Sequence, residues 1–466
     1  MHLSHEEDDY NVSLSRFESM LKTNKVFFFD SEEFEEIILH YLDIGKATLA
    51  KKALKLALEQ HPKSTGLKLV QIEMLIYDDK LDLAEKMLNE LYAIEPHNEE
   101  IYIQKANIYS KRDQHDKAIV ELEKALTFTD DLADVYNLMG MEYLFMDNLE
   151  MAKFNFIRCL EVDLEDQAAL YNVVYCFEFL DQHEQAIDYL KAYIERNPYS
   201  EIAWHQQGRL SYSIKNYENA LLCFDYATLI DEEFIGAFME KGKSLEKLKR
   251  FEEAIESYQR TIELEDPTSY ALLRIGKCYE KLGNKAEALK YYNQTVHEDP
   301  LLDKGWIAIT DFYIRQKNYQ KALFYVNKAL AIDNQNQLYW KRYATINKQM
   351  NFFEEAEFGY RKAVEFGDAH LDTWLFWVDI LQFLGEFDNA IQTLVQASEY
   401  FPDEYEIAYR LAGLYFMTQQ PEKGKFHLTI GLQLNPKHHT LVEELFPTIW
   451  NQKNVQQIIQ KHLNSF

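Results

Sequence analysis

The chain has 466 residues, 47% of them apolar, with only 15 glycines and 9 prolines, a composition of helices joined by short turns and not of linkers or low-complexity tracts. Its 49 basic and 77 acidic side chains give a net charge of −28, which argues against attraction of the whole molecule to nucleic acid or an anionic membrane surface and suits solubility. No stretch approaches the roughly 18 apolar residues of a spanning helix, and Met1 to Asp9 has no basic segment followed by an apolar run, so a soluble cytoplasmic protein is expected.

In chain order, the first dozen residues read as unstructured. Leu14, Phe17, Met20 and Leu21 then fall on one face of a short amphipathic helix. The run Val26-Phe27-Phe28-Phe29 is expected to pack on the first repeat, with a docking tail for a partner as the other reading. Asp30 and Glu33 have the spacing of a capping box for the next helix.

From there a fixed period governs the sequence. Alanine stands at 50, 84, 118, 152, 186, 220, 254, 288, 322, 356 and 390, always 34 residues apart, and Gly424 takes the next step. Such self-similarity marks a solenoid, in which each unit buries its apolar face against its neighbours, and one continuous domain is expected. In residues 269–302, Leu272, Ile275, Gly276 and Tyr279 line one face of a first helix, and Gly283-Asn284 breaks it. Ala288, Tyr291, Tyr292 and Thr295 line a second helix, which Pro300 ends, since proline lacks an amide donor and disfavours the helical conformation before it. Two such helices joined by a short turn lie antiparallel.

This pattern resembles the tetratricopeptide repeat (TPR). Numbering each hairpin 1 to 34 from residue 31, position 4 is Trp204, Trp306, Trp340 or Trp374, or Phe34, Tyr102, Tyr136 or Phe238. Position 8 is Gly140, Gly208, Gly242 or Gly276, or Ala106, Ala344 or Ala412; position 20 is the alanine ladder. Pro62, Pro96, Pro198, Pro300, Pro402 and Pro436 close six hairpins, while Lys68, Ala408 and Tyr193 depart from the pattern. The resemblance implies an all-α protein, a right-handed α-solenoid superhelix of tandem TPR helical hairpins. The expected organisation is an N-terminal tail and capping helix over 1–30, twelve repeats of 34 residues over 31–438, and C-terminal capping helices over 439–466. In the last segment Pro447 interrupts a would-be thirteenth first helix, and Gln452, Gln456, Gln457 and Gln460 oppose Val455, Ile459 and Leu463.

No nucleotide-binding, hydrolase or zinc-protease motif occurs, so no enzymatic activity, cofactor or metal is expected. His427, His438 and His439 read as a surface turn, and Cys159, Cys176, Cys223 and Cys278, none in a CxxC pair, as small core residues in a reducing compartment.

In the family, the first helices line the concave side, and ligands touch positions 2, 5, 9, 12 and 13. Here these are acidic or aliphatic in the first repeat (Glu32, Glu35, Leu39, Leu42, Asp43). In the fourth and fifth they become aromatic and apolar with Met141, Leu144, Phe145, Tyr171, Tyr175 and Phe179, joined by His205 and Tyr212 of the sixth. In the sixth to tenth they become basic, with Arg209, Lys243, Lys247, Lys277, Lys281, Lys304, Arg315, Lys341 and Lys348 against Glu246, Glu280 and Asp311. Two readings stay open: an electropositive inner stripe, or pairing of Lys243/Glu246/Lys247 and Lys277/Glu280/Lys281 along their own helices. Lys341 has Thr345 where the family's carboxylate clamp has asparagine, and no triplet of repeats completes that clamp.

The resemblance implies a non-enzymatic protein-interaction scaffold whose groove takes a peptide or partner protein with acidic residues and an apolar anchor. A single-stranded RNA binder of the helical-repeat kind and a self-assembling protein are the alternatives.

Overall fold

The computed structural model describes residues 3–23, 27–264 and 268–463, with side chains from Ser13 onward; Val26 and the side chains of the polar tail lie outside the described residues. These residues gather into two compact units, Met1–Glu232 and Glu233–Phe466. Among the described residues there is no strand, and each unit is an α-solenoid of six helical hairpins. Hairpins 1 to 6 run from Ser31–Asp43 with Ala47–Gln60 to Glu201–Ser213 with Tyr217–Ile230. Hairpins 7 to 12 run from Ile235–Lys247 with Phe251–Leu264 to Tyr405–Met417 with Pro421–Leu434.

Helix starts are set by short polar side chains. Asp166 Oδ1 accepts from the Ala169 amide (2.8 Å) and Asn284 Oδ1 from that of Glu287 (3.3 Å), which satisfies donors that the first turn leaves without a helical partner. Helix ends inside the hairpins are set by backbone conformation. Position 15 adopts the left-handed region in every hairpin: Gly45, Asp79, Asp113, Asp147, Asp181, Lys215, Lys249, Gly283, Lys317, Asn351, Gly385 and Gln419 all have φ between 55° and 80°. Glycine, asparagine and aspartate tolerate this region; for lysine it is strained.

The alanine ladder is the seam between the two helices of each hairpin. All eleven alanines are fully buried. Across that seam the small residue at position 8 receives the side chain at position 24. A Cβ on Gly140, Gly208, Gly242 or Gly276 would stand 2.5 to 2.6 Å from the ring of Phe156, Phe224, Tyr258 or Tyr292, and each of these rings is at most 1% exposed. Burying one such ring contributes about 2 to 3 kcal/mol, so glycine here is a packing requirement. Tyr193, which departs from the small residue expected at position 27, is also buried, and its hydroxyl donates to the Leu164 carbonyl of the preceding hairpin turn. The four cysteines are buried and unpaired, and burial pushes the Cys176 thiol up to about 11.

The ends differ from expectation in detail. The opening helix runs over Leu3–Thr23, longer than the expected amphipathic stretch, and takes in most of the first dozen residues, which were expected to be unstructured. Phe17 and Phe29 are fully buried against Phe34, while Phe28 stays 64% exposed with its ring edge-on to His61. Asp30 and Glu33 form the capping box, the Asp30 amide donating to Glu33 Oε2 (2.8 Å).

At the other end, Leu441–Leu445 stops at Phe446 before Pro447, and Lys453–Leu463 packs on the last hairpin. Phe446 lies over Gly413, where a Cβ would approach it to 2.1 Å. The histidines do not share a site: His427 stacks on Tyr415, His438 on Tyr405 and His439 on Trp450.

Candidate functional site

In the N-terminal unit the inner positions of the first helices are acidic, then aromatic. Glu35, Glu73, Glu100 and Asp134 all have their carboxyls pushed up, by burial first and by neighbouring carboxylates after it: Glu32 beside Glu35, Glu100 and Asp43 beside Glu73, Asp134 beside Glu100, Asp131 beside Asp134. Glu73, Gln104, Asn107 and Phe145 help line a hollow of about 720 Å³ across hairpins 2 to 4. Phe145 stacks on His115, which Glu142 holds at 2.8 Å.

One hairpin further on, the rings of Tyr175 and Phe179 stand 4.4 Å apart, with Phe145 60%, Tyr171 41%, Tyr175 43% and Phe179 66% exposed. The aromatic residues read from the sequence are thus an exposed row on consecutive first helices. His205 and Tyr212 are half-buried, beside Phe224 and Tyr217 respectively. Arg209 bonds Gln206 (2.8 Å) and reaches Glu178 of the preceding hairpin at 3.9 Å.

In the C-terminal unit Glu246, Glu280 and Asp311 are not shared along their own helices. Glu246 is held by Arg274 of the next hairpin (2.7 Å) and by the Tyr258 hydroxyl beneath it (2.7 Å). Glu280 is held in the same way by Arg315 (2.9 Å) and Tyr292 (2.9 Å). Asp311 receives Arg342 through two bonds (2.7 and 3.0 Å).

Pairing within Lys243/Glu246/Lys247 and Lys277/Glu280/Lys281 is therefore not what forms. A lysine three residues away loses to a guanidinium that arrives preorganised from the next helix. Lys243 turns to Glu240 (2.7 Å) and Lys341 to Asp368 (3.5 Å). Lys247, Lys277, Lys281, Lys304 and Lys348 have no carboxylate within 4.0 Å among the described residues; Lys348 lies over the Phe376 ring at 4.8 Å. The Lys277 ammonium is pushed below the ordinary lysine range by burial, with Arg274 and Lys304 adding repulsion.

Profiles described as tetratricopeptide repeat match residues 75–141, 133–166 and 304–336, 168–200, and 239–302 and 377–423, together more than half of the chain. The chain belongs to the tetratricopeptide repeat family. A curated relative, anaphase-promoting complex subunit 3 of Schizosaccharomyces pombe, is 23% identical over 159 residues, 34% of this chain and 24% of that protein; the chain thus spans about a quarter of the length of the curated relative it matches. Among solved structures, a tetratricopeptide repeat protein from Parabacteroides merdae is 13% identical over 54% of this chain and 99% of its own, with a TM-score of 0.41. MamA is 20% identical over 37% of this chain and 94% of its own, with a TM-score of 0.33.

Two features of this tetratricopeptide repeat protein escape a reading by ligand-contact positions alone. Position 6 carries Arg274, Arg342 and Arg410, each answering an acid of the hairpin before. Arg342 with Asp311 and Arg410 with Asp379 are the same contact, 31 residues apart in both cases, and Asn172 meets Met141 at that spacing too. An acid at position 9 followed 31 residues later by arginine is a signal the sequence did contain. The second feature is the tyrosine at position 24, which a core reading treats as apolar and which supplies a hydroxyl to the inner face.

Proposed function

We propose that this chain is a non-enzymatic scaffold that holds partner proteins on the inner faces of its first helices. The reading rests on one observation: in hairpins 8 and 9 the nearby acids Glu246 and Asp311 are already taken by Arg274 and Arg342, which leaves Lys277 and Lys304 as cations with no internal partner. A lysine kept half-desolvated next to other cations is relieved by an incoming carboxylate, so the inner face of hairpins 7 to 10 suits a peptide with acidic residues. The exposed row Phe145, Tyr171, Tyr175 and Phe179 gives the N-terminal unit a face of its own for an apolar anchor. A relative named as a subunit of a complex fits this reading, and four unpaired thiols fit a reducing compartment such as the cytoplasm.

The test replaces Lys277 and Lys304 by glutamine and leaves Lys243, Arg315 and Lys341 intact, because those three hold the array's own carboxylates. Quantitative capture from the native cell is expected to lose partners that bind the wild type, with melting temperature kept. Recovery of the same partners in the same amounts sinks the proposal.

A further inference from the structure

The turn row at position 15 changes its chemistry along the chain. In hairpins 2 to 5 it is Asp79, Asp113, Asp147 and Asp181, residues that accept the left-handed conformation. Lysine replaces it from hairpin 6 on, with Lys215 (φ 65°) and then, within the C-terminal unit, Lys249 (φ 62°) and Lys317 (φ 57°) on either side of Gly283 (φ 79°). Lysine is poorly suited there, and strain retained at a defined place points to a use for the side chain.

The neighbours support that use. Lys247 and Lys281 end the first helices of hairpins 7 and 8, Lys285 begins the second helix of hairpin 8, and these three, with Lys249 and Lys317, are exposed with no carboxylate within 4.0 Å among the described residues.

We infer that this turn edge of hairpins 7 to 9, which adjoins the inner face at Lys247 and Lys281 and extends beyond it to Lys249, Lys285 and Lys317, is a second interaction surface for an extended acidic segment of a partner protein. The first helices of hairpins 8 and 9 touch, and contacting helices lie about 10 Å apart. An extended chain advances about 3.3 Å per residue, so an acid at every third residue meets one turn after another. Nucleic acid and anionic membranes carry a denser charge, which the remainder of a molecule of net charge −28 repels.

The edge is tested in a Lys277→Met, Lys304→Gln, Lys348→Gln background, which removes the unpaired inner-face lysines away from the edge, so that failure of the preceding proposal is read separately. The probe is a fluorescein-labelled peptide of six Asp-Ser-Ala units, titrated by anisotropy at low salt. The background protein is expected to bind it. Adding Lys249→Gly, Lys285→Ser and Lys317→Gly is expected to weaken binding about tenfold or more, as loss of three steering charges does, while the melting temperature rises because glycine removes the strain. Absence of binding by the background protein, equal binding by the edge variant, or tighter binding to a single-stranded RNA or to phosphatidylserine vesicles than to the peptide overturns the inference.

Discussion

The two units use one hairpin and differ in the charge that its inner face carries. In the N-terminal unit, position 24 is apolar under glycine (Phe156, Phe224), the inner acids crowd one another and the turns of hairpins 2 to 5 carry aspartate. In the C-terminal unit, hairpins 7 and 8 have tyrosine at position 24, their inner acids are bonded from below and from the next hairpin, and the turns of hairpins 7 and 9 carry lysine. The difference teaches that the repeat constrains volume far more tightly than polarity. Where position 8 is glycine a ring fills the space beneath it, and whether that ring ends in a hydroxyl follows what stands at position 12, Leu144 in hairpin 4 and Glu246 in hairpin 7.

The largest effect expected is common to both units. Gly140→Leu and Gly242→Leu each force a side chain into a ring already at contact distance, which costs about 3 kcal/mol or more; chemical denaturation that leaves either variant at wild-type stability breaks the shared-volume argument.

Exchanging the rings separates the units. Phe156→Tyr buries a hydroxyl facing Leu144 and is expected to cost about 1 to 3 kcal/mol. Tyr258→Phe removes one bond to Glu246, which Arg274 still holds, and is expected to cost about 1 kcal/mol. If the two substitutions cost the same, polarity is not set by position 12.

Smaller effects arise from titration, in mirror image. Burial holds the Glu100 carboxyl above its usual 4.5 and the Lys277 ammonium below its usual 10.5, so in both cases the fold disfavours the charged form. The penalty from Glu100 is complete above its raised folded value and vanishes as pH falls below 4.5. That from Lys277 is complete below its lowered folded value and vanishes as pH rises past 10.5. Melting curves at neutral pH are therefore expected to show Glu100→Gln and Lys277→Met slightly above wild type, the first losing its advantage in acid and the second in alkali.

The smallest difference lies in the turns. Lys249→Gly is expected to stabilise by about 0.5 to 1 kcal/mol, and Asp147→Gly by less, because aspartate already tolerates the left-handed region.

The hairpins, their register and the buried alanines were legible because one residue type recurs at one position. The turn conformation was not, since Gly45, Asp79, Lys249, Asn351 and Gln419 share φ without sharing chemistry. On the inner face, exposure of Phe145, Tyr175 and Phe179 was legible from position alone. The partners of Glu246 and Glu280 were not, because pairing along one helix is the local expectation, whereas the winning guanidiniums come from a helix about one period later. A charge tally over positions 2, 5, 9, 12 and 13 counts Arg315 as available although it holds Glu280, and leaves out Arg274 and Arg342, which hold Glu246 and Asp311.

The recurrence of one ion pair two periods later makes the array a recombinable text. Arg342 faces Asp311, and Arg410 faces Asp379, across identical spacings of 31 residues. Excising residues 316–383 joins Arg315 to Leu384, keeps Arg315 for Glu280 and sets Arg410 31 residues behind Asp311, so the clasp between two hairpins closes again with a new partner. Loss of two hairpins at this place leaves Asp311 and Glu280 each with an arginine, so the length of the protein can change here with both of these clasps kept.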